Sequence, residues 1–311
     1  MTNKDMPGTG KRVGIIGAPL NFGSDMAGVD LGPAVLRVAK VVDAISQLGY
    51  EVHDYGDISI EHRVKRADPN DKAKYLHEIS KACSLLGLQV REILHADELP
   101  LVLGGDHSIA IGSISGVSSF FKERGDSIGV IWFDAHADMN TPETSLSGHV
   151  HGMPLAAMLG YGPPEITNIV SIGPKIDARF CAHIGARDID LNERQLVRDS
   201  GIRVFTMREI DERGMGNCVD EAIAIVAKAS AGYHVTFDVD VLDPVDAPGS
   251  GTLVRGGLTY REAHLGLEKI ADDNRLVSLE IVEINTALDV NNRTAQLGVE
   301  LILSALGKRI L

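Results

Sequence analysis

The sequence gathers acidic and histidine side chains into three short clusters that could bind metal ions. In residues 134–138 (DAHAD), three such side chains occupy alternate positions, so they project from one face if the segment is extended. Residues 238–240 (DVD) repeat this spacing, and residues 104–108 (GGDHS) add a further imidazole. The candidate ligands include no cysteine: they are His107, Asp134, His136, Asp138, Asp238 and Asp240.

Four carboxylates gathered in one place would repel one another, and some would be protonated, unless divalent cations neutralised them. Two dications would match four carboxylates. A water bridging two ions roughly 3.5–4 Å apart would be acidified and become a hydroxide nucleophile. Oxygen-rich ligation with some imidazole suits Mn²⁺, although raw affinity would favour later transition metals such as Zn²⁺. The clusters therefore predict a hydrolytic centre with two Mn²⁺ per chain and attack by a metal-bridging hydroxide.

Each cluster alone also has an ordinary structural interpretation, because Asp often caps helices and His often bonds to backbone carbonyls. Three clusters at three strand ends of one sheet favour the metal site over that interpretation. Asp106 and Asp243, which lie beside the candidate ligands, are interpreted as braces for their turns.

The pattern around the clusters predicts an α/β fold. Short apolar runs ending in Gly, Asp or His alternate with segments of helical periodicity, which is typical of βα units and a mostly parallel sheet. Several runs are too apolar to face water, so helices should cover both faces. The predicted strands are Arg12–Gly17, Val52–Tyr55, Pro100–Leu103, Ser127–Phe133, Phe180–Ile184, Arg203–Phe205, His234–Phe237 and Val277–Val282. The predicted helices are Pro33–Leu48, Lys72–His95, Ile109–Lys122, Gly216–Ala229, Thr259–Ile270 and Thr294–Leu306.

These elements would also position the clusters. In open α/β sheets, ligands bind in the crevice beyond the carboxyl ends of the strands. The polar segments 104–107, 134–138, 238–243 and 283–285 each follow a predicted strand. Four strand ends should therefore converge on one acidic, histidine-bearing site.

The composition is that of an acidic globular protein. The chain has 311 residues, 44% of them hydrophobic, and we expect one domain over residues 1–311 with a flexible segment at 1–10. The net charge of −13, with no Lys/Arg block, argues against nucleic-acid binding and favours a cationic substrate. Cys83, Cys181 and Cys218 share neither a disulfide nor a metal-site spacing, so we expect reduced thiols. Without an N-terminal apolar core or an apolar run of roughly 18 residues, we expect a cytoplasmic protein with no membrane partner.

Five long motifs resemble the successive signature blocks of the arginases, a ureohydrolase family, and occur in the same order. They are LVLGGDHSIAIG, VIWFDAHADMNTPETSLSGHVHGMPLA, IGARDID, FDVDVLDPVDAPGSGTLVRGGLTYRE and VEIN, and the similarity extends from Lys11 to the closing LGKRIL. The resemblance implies a three-layer α/β/α fold with a central, mostly parallel eight-stranded sheet. It also implies a homo-oligomer, a trimer or hexamer, that hydrolyses the guanidinium group of L-arginine to L-ornithine and urea.

The resemblance divides the metal ligands between two Mn²⁺ ions. Asp134 and Asp238 would bridge the ions. The first ion would be held by His107, Asp134, Asp138 and Asp238, and the second by His136, Asp134, Asp238 and Asp240.

The resemblance also assigns roles around the substrate. Glu283 matches the glutamate that orients the guanidinium, His151 matches the proposed proton-shuttling histidine, and Asp138 is a candidate relay for the proton of the nucleophilic water. These roles suit the chemistry, because a resonance-stabilised guanidinium needs a strong nucleophile, a fixed orientation and a proton for its leaving amine. The remaining substrate positions are Asn140, Ser145 and Ser147 for the α-carboxylate, Asp188, Asp190 and Glu193 near the α-amino group with Asp190 the strongest candidate, and His149 and Thr252.

The sequence departs from the arginase pattern at four places. His149 replaces the usual Asn, Thr286 and Leu253 replace prolines, and residues 24–33 (SDMAGVDLGP) lack the customary Arg. None of these is a predicted metal ligand. His149 lies closest to the predicted α-carboxylate site, so it bears on the identity of the substrate more than on hydrolysis.

Three alternative functions share some of these features. A ureohydrolase acting on agmatine or a guanidino acid would have the same metal site, but residues 145–154 (SLSGHVHGMP) favour arginase. A deacetylase-type amidohydrolase would use a single zinc, which six ligands exceed. A non-catalytic metal-stabilised scaffold would have no need for Glu283 and His151.

Overall fold

Eight strands form one sheet in the computed structural model, which describes residues 6–61 and 72–309. The strands are β1 (Arg12–Ala18), β2 (Glu51–Asp57), β3 (Leu99–Gly104), β4 (Ile128–Phe133), β5 (Cys181–Ala186), β6 (Arg203–Thr206), β7 (Gly232–Asp238) and β8 (Leu276–Val282). Their order across the sheet is β2-β1-β3-β8-β7-β4-β5-β6, and every neighbouring pair is parallel. All eight predicted strands are present, and the predicted α/β fold is confirmed.

Burial along the strands follows their composition. All residues of β4 (IGVIWF) and β7 (GYHVTFD) are buried, as expected for central parallel strands covered on both faces. Strand β2 (EVHDYGD) lies at the edge and is mostly exposed, and its acidic residues discourage pairing with another strand. The apolar strands therefore form the centre of the sheet, where the polar clusters follow them.

Helices cover both faces, which gives three layers. Successive side chains of β4 point to opposite faces: Ile131 and Phe133 join the core packed by α1, α2 and α8–α11, whereas Val130 and Trp132 join the core packed by α3–α6. The helices are α1 (Gly32–Val38), α2 (Val41–Gln47), α3 (Leu76–His95), α4 (Ala110–Lys122), α5 (Pro154–Met158), α6 (Pro164–Thr167), α7 (Arg194–Ser200), α8 (Met207–Arg213), α9 (Met215–Val226), α10 (Tyr260–Asp273) and α11 (Arg293–Ala305).

The helix predictions differ from the structure in three ways. The predicted helix Lys72–His95 begins only at Leu76, after Tyr75 in a left-handed conformation (φ 55°). The predicted helix Pro33–Leu48 is two helices, because Lys40 adopts a left-handed conformation (φ 65°) that interrupts the backbone hydrogen-bond pattern. Helices α5–α8 were not predicted, since each spans seven residues or fewer, too short for a periodic apolar pattern. A proline at the start of α5 and of α6 was the local signal for two of them.

The N-terminal segment is only partly described. Of residues 1–10, predicted to be flexible, 1–5 lie outside the described residues, and 6–10 form turns in which the Gly8 N–H donates to the Leu48 carbonyl at 3.0 Å. Among the helices of residues 6–61 and 72–309, none combines the length and the hydropathy that a membrane span requires.

Candidate metal centre and active site

The polar clusters lie at the carboxyl ends of four adjacent strands, β3, β8, β7 and β4. His107 begins a short 3-10 turn after β3, Asp134 directly follows β4, and Asp238 ends β7. Glu283 directly follows β8. The sheet therefore brings the four predicted segments to one edge.

His107 lies at the centre of a group of three carboxylates. Its Nδ1 is 3.1 Å from Asp134 Oδ2, 3.1 Å from Asp138 Oδ2 and 3.2 Å from Asp238 Oδ2. All four residues are buried. This arrangement presents one imidazole nitrogen and three carboxylate oxygens to a common point.

His136 forms a second group that shares Asp134 with the first. Its Nδ1 is 3.0 Å from Asp240 Oδ2 and 3.4 Å from Asp134 Oδ1, the other oxygen of that carboxylate. Asp134 thus presents one oxygen to each histidine, while Asp238 groups with His107. The six predicted ligands therefore form two adjoining groups.

The electrostatics of these groups suit divalent cations. Burial and the neighbouring Asp134 carboxylate raise the pKa of Asp138 to about 7, and burial with Asp240 and Asp134 raises the pKa of Asp238 well above its usual range. The contacts around His107 Nδ1 are close but lack hydrogen-bond geometry, so among the described residues His107 Nδ1 and Asp138 Oδ2 are buried without a hydrogen-bond partner. Buried polar atoms without partners are costly. A donor set of four carboxylates and two imidazoles therefore fits a pair of dications.

Three residues that the sequence analysis did not assign to the site contact the predicted metal ligands. His107 Nε2 lies 2.9 Å from Thr236 Oγ1, and the His107 ring stacks on Trp132 at 4.5 Å between centroids. The Trp132 indole N–H also donates to Asp134 Oδ2 at 3.0 Å. His183, interpreted from the sequence as a core residue, is fully buried, and its Nε2 lies 2.6 Å from the His136 carbonyl. In the sequence, the presence of polar Thr236 and His183 within largely apolar strands was the signal that could have identified these supporting residues.

Two residues of the site have a left-handed backbone conformation that residues other than glycine rarely adopt. Asp138 has φ 52° and Glu283 has φ 64°. Such conformations cost about 1–3 kcal/mol each and persist where the surroundings fix them. Glu283 is fixed by its backbone N–H, which donates to the Gly105 carbonyl at 2.9 Å.

Glu283 and His151 form a pair next to the metal groups. Glu283 Oε1 accepts the His107 backbone N–H at 2.9 Å and lies 3.1 Å from His151 Nδ1. Burial disfavours the charged imidazole, but the Glu283 carboxylate, with help from Asp106 and Asp138, outweighs it and raises the pKa of His151 to about 9. His151 therefore holds a proton at neutral pH.

A cavity of about 120 Å³ opens onto these groups. Glu283 is absent from its wall and lies behind His151. A larger cavity of about 780 Å³ lies elsewhere, beside Tyr50 and Leu306, and no histidine or glutamate lines it among the described residues. The predicted residues on the wall of the small cavity are His107, His136, Asp138, Asn140, Ser145, Ser147, His149, His151, Asp188, Asp190, Glu193, Asp238, Asp240 and Thr252.

Several wall residues are also bonded to one another. Asn140 Nδ2 donates to Asp190 Oδ2 at 2.9 Å, and the Thr252 hydroxyl donates to Asp240 Oδ2 at 2.8 Å. Glu193 accepts the backbone N–H groups of Met139 and Asp190, each at 3.0 Å, so it braces the loop. Burial raises the pKa of Glu193 to about 7.

The two expected braces act as predicted. Asp106 accepts the backbone N–H of Gly23 at 2.8 Å and of Ser108 at 3.1 Å. Asp243 accepts the backbone N–H of Val245 at 3.0 Å and of Gly256 at 2.9 Å. Both aspartates therefore hold loops beside the site.

Comparison with known proteins gives full-length matches. The model of the Arginase family matches residues 11–307. An arginase of Brevibacillus brevis is 47% identical over 303 residues, covering 97% of this chain and 99% of that protein. Crystal structures of arginases from Bacillus cereus (44% identity, TM-score 0.91) and Bacillus caldovelox (42%, TM-score 0.92) each cover 97% of this chain and 100% of theirs. Together with the fold and the paired His/Asp groups, these matches show that the chain belongs to the arginase family and is a hydrolase.

Proposed function

We propose that this enzyme hydrolyses L-arginine to L-ornithine and urea with two Mn²⁺ ions bound by the His/Asp groups. The observation that carries the proposal is the pair of histidine-centred ligand groups sharing Asp134 beside a cavity lined by polar residues. The name arginase carried by relatives at 40–47% identity supports the same substrate.

The metal pair would be bound by the six ligands, with Asp134 placed between the two groups. When bound, the ions supply Lewis acidity that makes a water nucleophilic near neutral pH. The protein keeps this region buried and fixes the ligands through Thr236, Trp132 and His183. Fixed second partners of this kind orient metal ligands and tune their basicity.

Glu283 and His151 act on the guanidinium group in this proposal. The planar guanidinium cation pairs well with a carboxylate, so Glu283, which does not line the cavity but lies 3.1 Å from Nδ1 of His151 on its wall, would orient the guanidinium from that side. His151 holds a proton because the nearby Glu283 carboxylate keeps its pKa at about 9. It donates this proton to the leaving amine, while Asp138 accepts the proton of the attacking water.

The wall of the cavity binds the amino-acid end of the substrate. Asn140, Ser145 and Ser147 bind the α-carboxylate, and Asp190 binds the α-amino group. Agmatine lacks the carboxylate, so it would leave these polar groups without partners. We therefore infer that L-arginine is preferred over agmatine.

An assay of urea release tests this proposal. The enzyme loaded with Mn²⁺ is compared on L-arginine, agmatine and guanidinobutyrate. Loss of hydrogen bonds from a polar site can lower kcat/KM by roughly 10⁴, and we expect discrimination of that order against agmatine. Equal kcat/KM for L-arginine and agmatine would contradict the substrate, and a fully active enzyme with one ion per chain would contradict the metal pair.

The family resemblance supports two further inferences. We infer a homo-oligomer, a trimer or a hexamer, that acts in the cytoplasm. Light scattering of the purified enzyme measures the oligomer directly, and a monomeric active enzyme would contradict it.

A further inference from the structure

Three side chains from separate segments meet at the rim of the small cavity: Asp25, Lys74 and His149, here called the rim cluster. His149 Nε2 lies 2.9 Å from Asp25 Oδ2 and 3.3 Å from Lys74 Nζ, and Lys74 Nζ lies 3.7 Å from Asp25 Oδ2. The Lys74 backbone N–H also donates to the Gly148 carbonyl at 2.9 Å. Lys74 is thus fixed to the loop that carries Ser145, Ser147 and His149.

The wall of this cavity is strongly acidic. Its charged residues include Asp188, Asp190 and Glu193 as well as the metal ligands, and among the described residues no Lys or Arg lines it. A second cation nearby, Arg187, donates to the backbone carbonyls of Asp240 and Val254, each at 2.7 Å. The two proposed dications would offset the charge of the metal ligands, but Asp188 and Asp190 would still repel an entering carboxylate, and a cation at the rim can counter that repulsion.

Lys74 provides the positive charge of the rim cluster. Burial lowers the pKa of His149 below its usual value, although the Asp25 carboxylate opposes this, so the imidazole is neutral at neutral pH. An ammonium group has three donors, and His149 uses none of them, because its Nε2 donates to the nearer Asp25 Oδ2 at 2.9 Å. The side chain of Lys74 is 29% exposed, so its ammonium is accessible from solvent.

We propose that Lys74 determines specificity by attracting the carboxylate end of an amino-acid substrate at the rim of the cavity. Asp25 weakens that attraction because its carboxylate lies beside the same ammonium. This inference rests on the proposed function, because it concerns the same cavity and substrate. It also explains how the site recognises a carboxylate with His149 where related enzymes carry a neutral amide.

The two charged residues of the rim cluster can be neutralised separately, which tests this proposal. Lys74→Met removes the positive charge and keeps a side chain of similar length, whereas Asp25→Asn removes the opposing negative charge and keeps the shape. If the two charges act electrostatically on the substrate, these two variants should change the KM for L-arginine in opposite directions. A purely structural role predicts that both variants impair the enzyme in the same direction.

Steady-state kinetics on L-arginine and agmatine provide the main test. Removing a unit charge near a partly screened site changes binding by roughly tenfold, so Lys74→Met should raise the arginine KM about tenfold. Its kcat and its agmatine KM should be unchanged. Asp25→Asn should lower the arginine KM and leave agmatine unaffected. Lys81→Met is the matched control, because Lys81 pairs with Glu61 on the surface, and it should leave both substrates unchanged.

A binding measurement separates recognition from turnover. In calorimetric titrations, Lys74→Met should weaken L-ornithine, which has the carboxylate, and leave putrescine, which lacks it, unchanged. The proposal is overturned if Asp25→Asn does not lower the arginine KM, or if Lys74→Met affects arginine and agmatine equally or not at all. If the wild-type enzyme releases urea from L-arginine, these outcomes test the role of Lys74 alone. If the wild-type enzyme releases no urea from L-arginine, the proposed function itself is refuted.

Discussion

At the floor of the cavity, His107 and the adjoining ligand Asp134 are almost closed to solvent, each side chain being 1% exposed, whereas at the rim the Lys74 and Asp25 side chains are 29% and 63% exposed. On the floor, charged groups are held by second partners such as Trp132. At the rim, Asp25 and Lys74 form an ion pair that water and salt can screen.

This difference separates two tasks. Interactions are strong where water is excluded, so the floor controls the hydrolytic reaction. Exposed ion pairs contribute little to stability, so the rim can change its residues at small cost and adjust which substrate binds. The resemblance predicts a departure from the arginase pattern at His149, which lies at the rim, and none among the ligands predicted for the floor.

The largest effect is expected on the floor. Asp134→Asn removes a carboxylate that presents one oxygen to each histidine group, so both metal ions should be lost together. The kcat should fall by about 10³ or more, as when a group central to the reaction is removed. Metal analysis measures the bound ions, and urea release measures kcat. Loss of a single ion would contradict the shared role of Asp134, and Asp188→Asn on the wall is the control that should retain both ions.

The next effect concerns proton transfer. His151→Asn should lower kcat by roughly 10²–10⁴, the usual contribution of general acid–base catalysis, without loss of metal. Because the proton donor is lost as pH rises through the His151 pKa of about 9, kcat/KM of the wild type should fall above that pH. The variant should lack this decline and be partly rescued by imidazole. A variant that retains the same alkaline decline would exclude His151 as the donor.

A smaller effect is expected from changing a residue that contacts a predicted metal ligand without being a ligand itself. Thr236→Val keeps the shape of the side chain and removes the hydroxyl that contacts His107 Nε2 at 2.9 Å. Loss of such a partner costs roughly 10–100-fold in metal affinity. Titration of the apoenzyme with Mn²⁺ measures this, and excess Mn²⁺ should restore most of the activity. An unchanged affinity would show that Thr236 does not position the ligand.

The smallest effect is expected at the rim. His149→Asn introduces the residue that the arginase pattern predicts at this position and should lower the arginine KM severalfold with kcat unchanged, since one neutral hydrogen bond contributes about 1 kcal/mol. Kinetics on L-arginine measure the change. No change would place His149 outside carboxylate recognition, and a change in kcat would show that rim and floor are not independent.

The sequence predicted the floor because its signals are local. Alternating ligands such as those of residues 134–138 directly follow an apolar strand, and the carboxyl ends of parallel strands share one edge of the sheet. The prediction placed Asp134 between two ion sites, and the structure does place it between two ligand groups. The position of Asp238 as a second bridge remains a prediction, because it groups with His107 only.

The rim could not be predicted in this way. Asp25, Lys74 and His149 are far apart in the sequence and lie on loops, where no periodic pattern fixes their relative positions. The brace formed by Glu193 was also missed, because its role depends on backbone N–H groups of Met139 and Asp190 that only the folded loop presents. Contacts of this kind are set by tertiary structure alone.

The position of β8 has a consequence for biosynthesis. Strand β3 pairs only with β1 and β8 in the described sheet, and β7 pairs only with β4 and β8, so β8 alone joins two half-sheets. His107 follows the first half-sheet, and the other five ligands belong to the second. Helix α4, which follows β3, packs on β4 and β7, but the sheet becomes continuous only when β8, which ends at Val282, pairs with both halves, so we expect its completion to be a late step of folding. We therefore expect metal ions to bind after β8 has been synthesised, and a nascent chain stalled before β8 to carry the predicted ligands without a continuous sheet beneath them.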